Sequence, residues 1–370
     1  MHRSHLALFE GVRVAWLAGA CALALGASCA PSSTGGSPSV ITPTSPVSDP
    51  GVDPAPAALS IQREAWKFED RDGLLLTTPG YRIYTTLGES SLVAKRMPRF
   101  METALTHYTS AITPLPLPTS RLETYVMANR PEWTRITQRV MGNEAEVYLR
   151  IQRGGFSSDG RAVLYDIGPR DTLAIAAHEG WHQYTQRAFR QPLPIWLEEG
   201  LACYMEGFRW ESRDLVNAKF LPWSNEERYD TLRRLDRYSR IRPLDELLNT
   251  SPQELMERGQ DAALGYYAQV WALVHFLNEG NDGAYAQGLQ RMLTDAQAGR
   301  MSTTLTQALG GRASSSAMSR RRGDMLLRAY LGKDAAALNP DYNAFITHIV
   351  RIGAKQQIVQ GISPVEPRSP

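Results

Sequence analysis

A pair of histidines one helical turn apart, followed a short way on by a pair of glutamates, constrains this chain more than any other feature. Residues 178–182 read His178-Glu179-Gly180-Trp181-His182, and the chain then reaches Trp196-Leu197-Glu198-Glu199-Gly200-Leu201-Ala202. Positions i and i+4 of a helix share a face, so His178 and His182 can each aim an imidazole nitrogen at one ion about 2.0–2.1 Å away. Residues 171–188 read as that helix: most of Thr172 to Ala177 are good helix formers, Asp171 stands where a cap belongs, and Gly180 is a tolerated cost. Gln191-Pro192-Leu193-Pro194 cannot continue it, and Trp196 to Met205 reads as a second, largely apolar helix. A catalytic metal usually takes three protein ligands, and this second helix is where the third should come from. Glu198 and Glu199 lie about 100° apart on it, so only one of them can face the ion. With seven histidines in 370 residues, chance is a poor source for the pattern.

His-Glu-x-x-His followed by Trp-Leu-x-Glu-Gly-x-Ala resembles the gluzincin metallopeptidases, the clan of the thermolysin and aminopeptidase-N families, and above all its peptidase-MA-like branch. The likeness is strong over about residues 171–206 and runs on weakly to about 277. It implies one zinc ion per chain, held by His178, His182 and Glu199, with Glu179 as the general base that helps water attack a peptide carbonyl. It also implies a downstream tyrosine that donates to the oxyanion. The segment from Gly265 to Leu277 looks like the later helix of such domains, where a tyrosine precedes an Ala-Gln pair; this points to Tyr267, with Tyr266 as rival. The same stretch also has the spacing of a core stripe.

The chain departs from these relatives in three places. No Gly-x-Met-Glu-Asn type segment precedes the metal helix, so an aminopeptidase assignment loses its support. One turn after Glu199 stands Cys203, where thermolysin-like enzymes place an aspartate that orients a ligand histidine; a backbone carbonyl is one substitute. The gap between His182 and Glu199 is shorter than in the aminopeptidase-N family. His275 reads as a core histidine and Cys203 as a small buried residue, while His107 and His348 belong to no pattern.

The start of the chain bears on location. His2, Arg3, His5 and Arg13 precede an apolar stretch from Val14 to Ala27, the layout of a signal peptide over residues 1–29. Leu25-Gly26-Ala27-Ser28-Cys29 resembles a bacterial lipoprotein processing site, which implies a membrane tether through lipidated Cys29 in the cell envelope, with plain secretion as the other outcome. Residues 30–58 are almost wholly Pro, Ser, Thr, Gly, Ala and Val and read as a flexible tether. Cys21 and Cys29 belong to the targeting segment, so Cys203 has no partner for an internal disulfide.

The rest reads as one catalytic domain over residues 59–355 with a flexible tail over 356–370; the chain as a whole is 43% hydrophobic, ample for a core. Residues 80–86, 121–128 and 161–166 have strand character, with a helix between the first two from about 90 to 112. Beyond Phe208 the chain reads as helical to the end, with apolar residues at helical spacing near 225–238, 243–257, 265–279, 283–298 and 322–332. The expected class is α+β: a mixed sheet lobe over 59–167, then metal helices and a helical lobe, with zinc in the cleft. The resemblance adds that the strand nearest the metal helix is an edge for an extended substrate. A net charge of +2 with mixed signs argues against a nucleic-acid partner, and Arg320-Arg321-Arg322 reads as a solvated helix start. The arginines from Arg228 to Arg242 read as a salt-bridged surface helix, the alternative being a cleft lining that holds a substrate carboxylate. These features add up to a zinc metallohydrolase acting on a peptide or protein; the alternative is a non-catalytic envelope binding protein on the same scaffold.

Overall fold

The computed structural model describes residues 59–365 apart from 152, 212–216 and 258; the expected signal peptide, the tether and Cys29 lie outside the described residues. The first lobe contains β1 (Gln62–Phe68), β2 (Arg71–Thr77), β3 (Tyr81–Thr85), α1 (Leu92–Tyr108), β4 (Leu122–Met127), α2 (Arg130–Met141), α3 (Ala145–Leu149), β5 (Gly155–Ser158) and β6 (Arg161–Tyr165). Its six strands run in the order β1-β2-β3-β4-β6-β5, parallel across β3, β4 and β6 and antiparallel elsewhere. This mixed sheet is followed by a mostly helical region, so the protein is α+β. Alternation along the strands sets the two faces. Tyr81, Ile83, Leu122 and Val126 point into the main core with α1 and α4 (Pro169–Ala188). The opposite face carries a smaller core of Phe68, Trp133, Tyr148, Phe156 and Tyr165 beneath α2 and α3.

After α4 come α5 (Ile195–Met205), a hairpin of β7 (Phe208–Trp210) and β8 (Ala218–Phe220), and then, among the described residues, ten α-helices. These are α6 (Glu226–Arg237), α7 (Leu244–Asn249), α8 (Pro252–Glu257), α9 (Gln260–Glu279), α10 (Ala286–Ala298), α11 (Met301–Leu309), α12 (Gly311–Arg320), α13 (Met325–Leu331), α14 (Ala335–Ile349) and α15 (Ala354–Gln360). Among the described residues no helix is long and apolar enough to cross a membrane.

Two glycines let the central helices meet. A Cβ on Gly180 would stand 2.5 Å from the Tyr108 hydroxyl, which donates to the Ala177 carbonyl at 2.6 Å. A Cβ on Gly200 would stand 2.6 Å from the Val270 carbonyl oxygen of α9. Gly180 and Gly200 therefore serve close packing, of α4 against α1 and of α5 against α9.

Several local expectations are corrected. Asp171 does not cap α4: Gly168 is the cap residue, Pro169 opens the helix, and Asp171 pairs with Arg153 at 3.3 Å. Asp166 does the polar work there, accepting from the Gly168 amide at 2.9 Å and from Thr172 Oγ1 at 3.2 Å. The β7–β8 hairpin interrupts the region read as helical. Arg320 ends α12 instead of starting a helix, and Arg321 is not a solvated residue. It donates through Nε and Nη2 to the Leu193 carbonyl at 2.9 and 2.7 Å, while its own carbonyl accepts from Ile195. That clamp fixes the two-proline connection where α5 begins. Within the tail expected to be flexible, α15 packs on α6 with Ile358 buried.

Candidate metal centre

Helices α4 and α5 cross so that His178, His182 and Glu199 converge. All three are buried and their ligand atoms lie within 4.8 Å of one another. Glu199 Oε2 stands 3.6 Å from His178 Nε2 and 3.4 Å from His182 Nε2. Tetrahedral ligands about 2.0–2.1 Å from one ion stand about 3.4 Å apart. None of these three atoms has a hydrogen-bond partner. Buried polar atoms are ordinarily partnered, so three orphans aimed at one point fit a cation there.

The opposite ring nitrogens are fixed by carboxylates. His182 Nδ1 lies 3.0 Å from Glu198 Oε1, which also accepts from Thr185 Oγ1 at 2.6 Å. His178 Nδ1 lies 2.7 Å from Glu206 Oε2. Glu206 in turn accepts from Asn225 Nδ2 at 2.7 Å and from Arg228 Nε at 2.9 Å. A histidine that binds through Nε2 must donate from Nδ1, and these carboxylates enforce that tautomer and the ring's direction. The substitute for the absent aspartate is thus a glutamate two turns past Glu199, not a backbone carbonyl. Arg228 belongs to this centre and is fully buried, whereas Arg233, Arg234 and Arg237 of the same helix are exposed as expected.

Electrostatics follow from burial and pairing. Burial works against charge on both imidazoles, yet the neighbouring carboxylates prevail. Glu199 and Glu198 bring His182 to about 9, and contacts with Cys203, Glu199 and Glu206 hold His178 well above the usual range. Burial alone would raise Glu199, but the two imidazoles draw it down to about 2. For Glu179 burial wins and lifts the carboxyl to about 7, against the pull of His182 and His178. Its Oε2 is buried without a partner.

His178, Cys203 and Glu206 form a second convergent group on the far side of the His178 ring. The Arg228 guanidinium already occupies Glu206, and burial pushes the Cys203 thiol up, away from the thiolate a metal needs. The group with Glu199 is therefore the better metal site.

Tyr266 and Tyr267 of α9 are both buried. The Tyr267 ring meets His178 edge-on with centroids 6.1 Å apart, and the Arg228 guanidinium lies 5.2 Å above it. The Tyr266 hydroxyl has no partner; burial and then the Glu199 charge raise its pKa. His275 is a core residue, stacked on Trp223 with centroids 3.6 Å apart and bonded to Glu279 at 2.9 Å.

No protein-family model matches the chain, and no curated protein does. What this chain has is a buried His-His-Glu group that could hold a metal ion. Sequence reasoning missed the roles of Glu206, Asn225 and Arg228. One signal was present: Glu199, Cys203 and Glu206 fall at the i, i+4, i+7 spacing of a single helix face.

Proposed function

We propose that this protein is a zinc-dependent metallohydrolase of the gluzincin type, a peptidase that is exported and tethered through Cys29. The reading rests on one observation above all: three buried, unpartnered ligand atoms within 4.8 Å of one another, beside Glu179 of α4, whose Oε2 is buried without a partner. His178, His182 and Glu199 would hold the ion. When bound, zinc acts as a Lewis acid toward a carbonyl and makes water acidic enough to ionise near neutrality. Glu179, next to His178 on α4 and buried with one oxygen unpartnered, would accept a proton from water and return it to the leaving amine. Tyr267, by its motif, or Tyr266, by its unpartnered hydroxyl, donates to the developing oxyanion. An extended peptide would run along β5, the sheet edge beside α4.

The test is zinc stoichiometry together with chelator-sensitive cleavage of a mixed peptide library. One zinc per chain is expected, and Glu179→Gln should keep it while losing cleavage. Of Tyr266→Phe and Tyr267→Phe, the true donor should lose about 10²–10³ in turnover. One zinc with no cleavage in the wild type would instead indicate a non-catalytic envelope binding protein. A protein that takes up no zinc would end the reading altogether.

A further inference from the structure

The sheet face turned away from the candidate metal centre carries a groove that the proposed reaction does not use and that runs round the strand ends to the last turn of α4. Two adjoining cavities of about 340 and 420 Å³ share Glu123 and Arg161, and both are large enough for a small ligand. Strand register explains their lining. Arg82, Glu123 and Arg161 are paired in one row across β3, β4 and β6. One two-residue step along, about 6.6 Å away, Tyr84 and Tyr125 are paired and stacked with centroids 4.9 Å apart. Trp66 meets Tyr84 edge-on at 5.4 Å, and Ile136 and Arg139 of α2 form a wall. All three rings are half-buried.

The charged end is built with surplus positive charge. Four guanidiniums, from Arg82, Arg121, Arg161 and Arg187, line it with a single carboxylate, Glu123. Arg161 pairs with Glu123 at 3.1 Å and, just outside the cavity, with the exposed Asp159 carboxylate at 3.9 Å. Arg121 and Arg187 donate to the carbonyls of Thr78 and Asp159, at 2.8 and 2.6 Å, so neither is neutralised by those bonds. Arg82 is exposed, and among the described residues no ion pair engages its side chain.

We propose that this groove binds an acidic oligosaccharide. Its carboxylate meets Arg82, Arg121 and Arg187, and a sugar ring lies against Trp66 and the tyrosine pair. Glu123, midway, accepts from sugar hydroxyls. A nucleic-acid strand suits the groove less well, because its phosphates would run past that carboxylate. The fork of a guanidinium favours a planar carboxylate, and half-buried aromatic rings suit the C–H face of a pyranose. The inference does not depend on hydrolysis at the metal centre.

The experiment titrates the protein with tetragalacturonate, chitotetraose, inorganic phosphate and oligothymidylate, reading tryptophan fluorescence and heat. Saturable binding of tetragalacturonate is expected, about tenfold or more tighter than the neutral sugar, since charge-assisted hydrogen bonds carry the difference. Arg82→Ser, at an exposed position without an ion pair, should keep the fold and weaken tetragalacturonate binding by about tenfold. Trp66→Ala should weaken both sugars, and neither change should alter peptide cleavage. No saturable sugar binding, equal binding of the neutral sugar, unchanged binding in both variants, or tighter binding of phosphate or oligothymidylate would each overturn the proposal.

Discussion

Glu206 joins the candidate metal centre to the core, and replacing it separates two effects that the structure predicts together. Its carboxylate is buried and holds His178 Nδ1 at 2.7 Å, Asn225 at 2.7 Å and Arg228 at 2.9 Å. In Glu206→Gln the amide nitrogen must replace one oxygen, so it faces either the His178 N–H or the donors of Arg228 and Asn225. Whichever way it turns, a contact becomes donor against donor, and the Arg228 guanidinium loses its counter-charge inside the core. Breaking a buried pair by changing one partner costs about 3–5 kcal/mol; the isosteric amide belongs at the lower end, about 3 kcal/mol. Where the amide nitrogen faces His178, zinc affinity should also fall about 10–100-fold, or roughly 1.4–2.7 kcal/mol, because the acceptor that fixes the tautomer and direction of that ring is lost; where the oxygen faces it, the loss falls on Arg228 and Asn225 instead. Denaturant titration measures the first effect and competition with a chromophoric chelator the second. The double variant Glu206→Leu/Arg228→Met removes both charges, and well-packed apolar replacements of a buried pair are often neutral or better. It should therefore recover most of the stability while zinc affinity stays low. Unchanged stability and affinity in Glu206→Gln, or wild-type affinity in the double variant, would refute the positioning role.

Two further predictions concern packing and acid sensitivity. Gly200→Ala places a methyl group 2.6 Å from the Val270 carbonyl oxygen and 2.8 Å from Val274 Cγ2, so α5 must move off α9. A loss of about 1–3 kcal/mol is expected by denaturant titration, and an unchanged midpoint would contradict the close approach. His107 stacks on Phe220, its Nε2 is buried without a partner, and burial lowers its pKa from 6.5 to about 4. The folded protein thus keeps this ring neutral where the unfolded chain protonates it. Stability from this residue is constant above about pH 6.5 and falls as pH drops from there toward 4. The stability of His107→Phe relative to wild type should therefore rise by about 2 kcal/mol between pH 7.5 and 5, and a difference that ignores pH would count against the account.

How much of this was legible in the sequence depended on whether a feature is local. The crossing of α4 and α5 could be read because i, i+4 histidines, a two-proline break and an apolar second helix are all short-range signals. Strands β3, β4 and β6 were legible from their strand-like residue patterns. The β1–β2 hairpin was not: β1 is exposed along most of its length, so no hydrophobic pattern marks it. Residues 301–320 and 335–360 form α11, α12, α14 and α15 within the region expected to be helical, but their separate positions were not marked, because tertiary packing supports short or weakly patterned helices. Gly180 looked like a simple cost in helix propensity, since the Tyr108 hydroxyl that requires it lies far away in sequence. Arg228 looked like one arginine among many, and only the fold reveals that it alone turns inward beneath His178.

The inward charges suggest what the centre is built to hold. Glu179, Glu198, Glu199 and Glu206 are buried around the two histidines, and among the residues that hold the centre the guanidinium of Arg228 is their one permanent positive charge. Without a metal, the excess is relieved by protons: His178 and His182 are held charged by their carboxylate neighbours, and Glu179 is half-neutralised near pH 7. A divalent cation at the three orphaned atoms supplies the same two charges that the imidazolium protons supply, so the two states exchange with little change in buried charge. Metal uptake near neutrality should then release about two protons, and apparent affinity should strengthen as pH rises toward 9, where His182 deprotonates unaided. Zinc titrations in buffers of differing ionisation enthalpy count those protons directly. Proton release near zero would mean that the histidines are already neutral in the metal-free protein, and the carboxylates around them would then need another source of compensation.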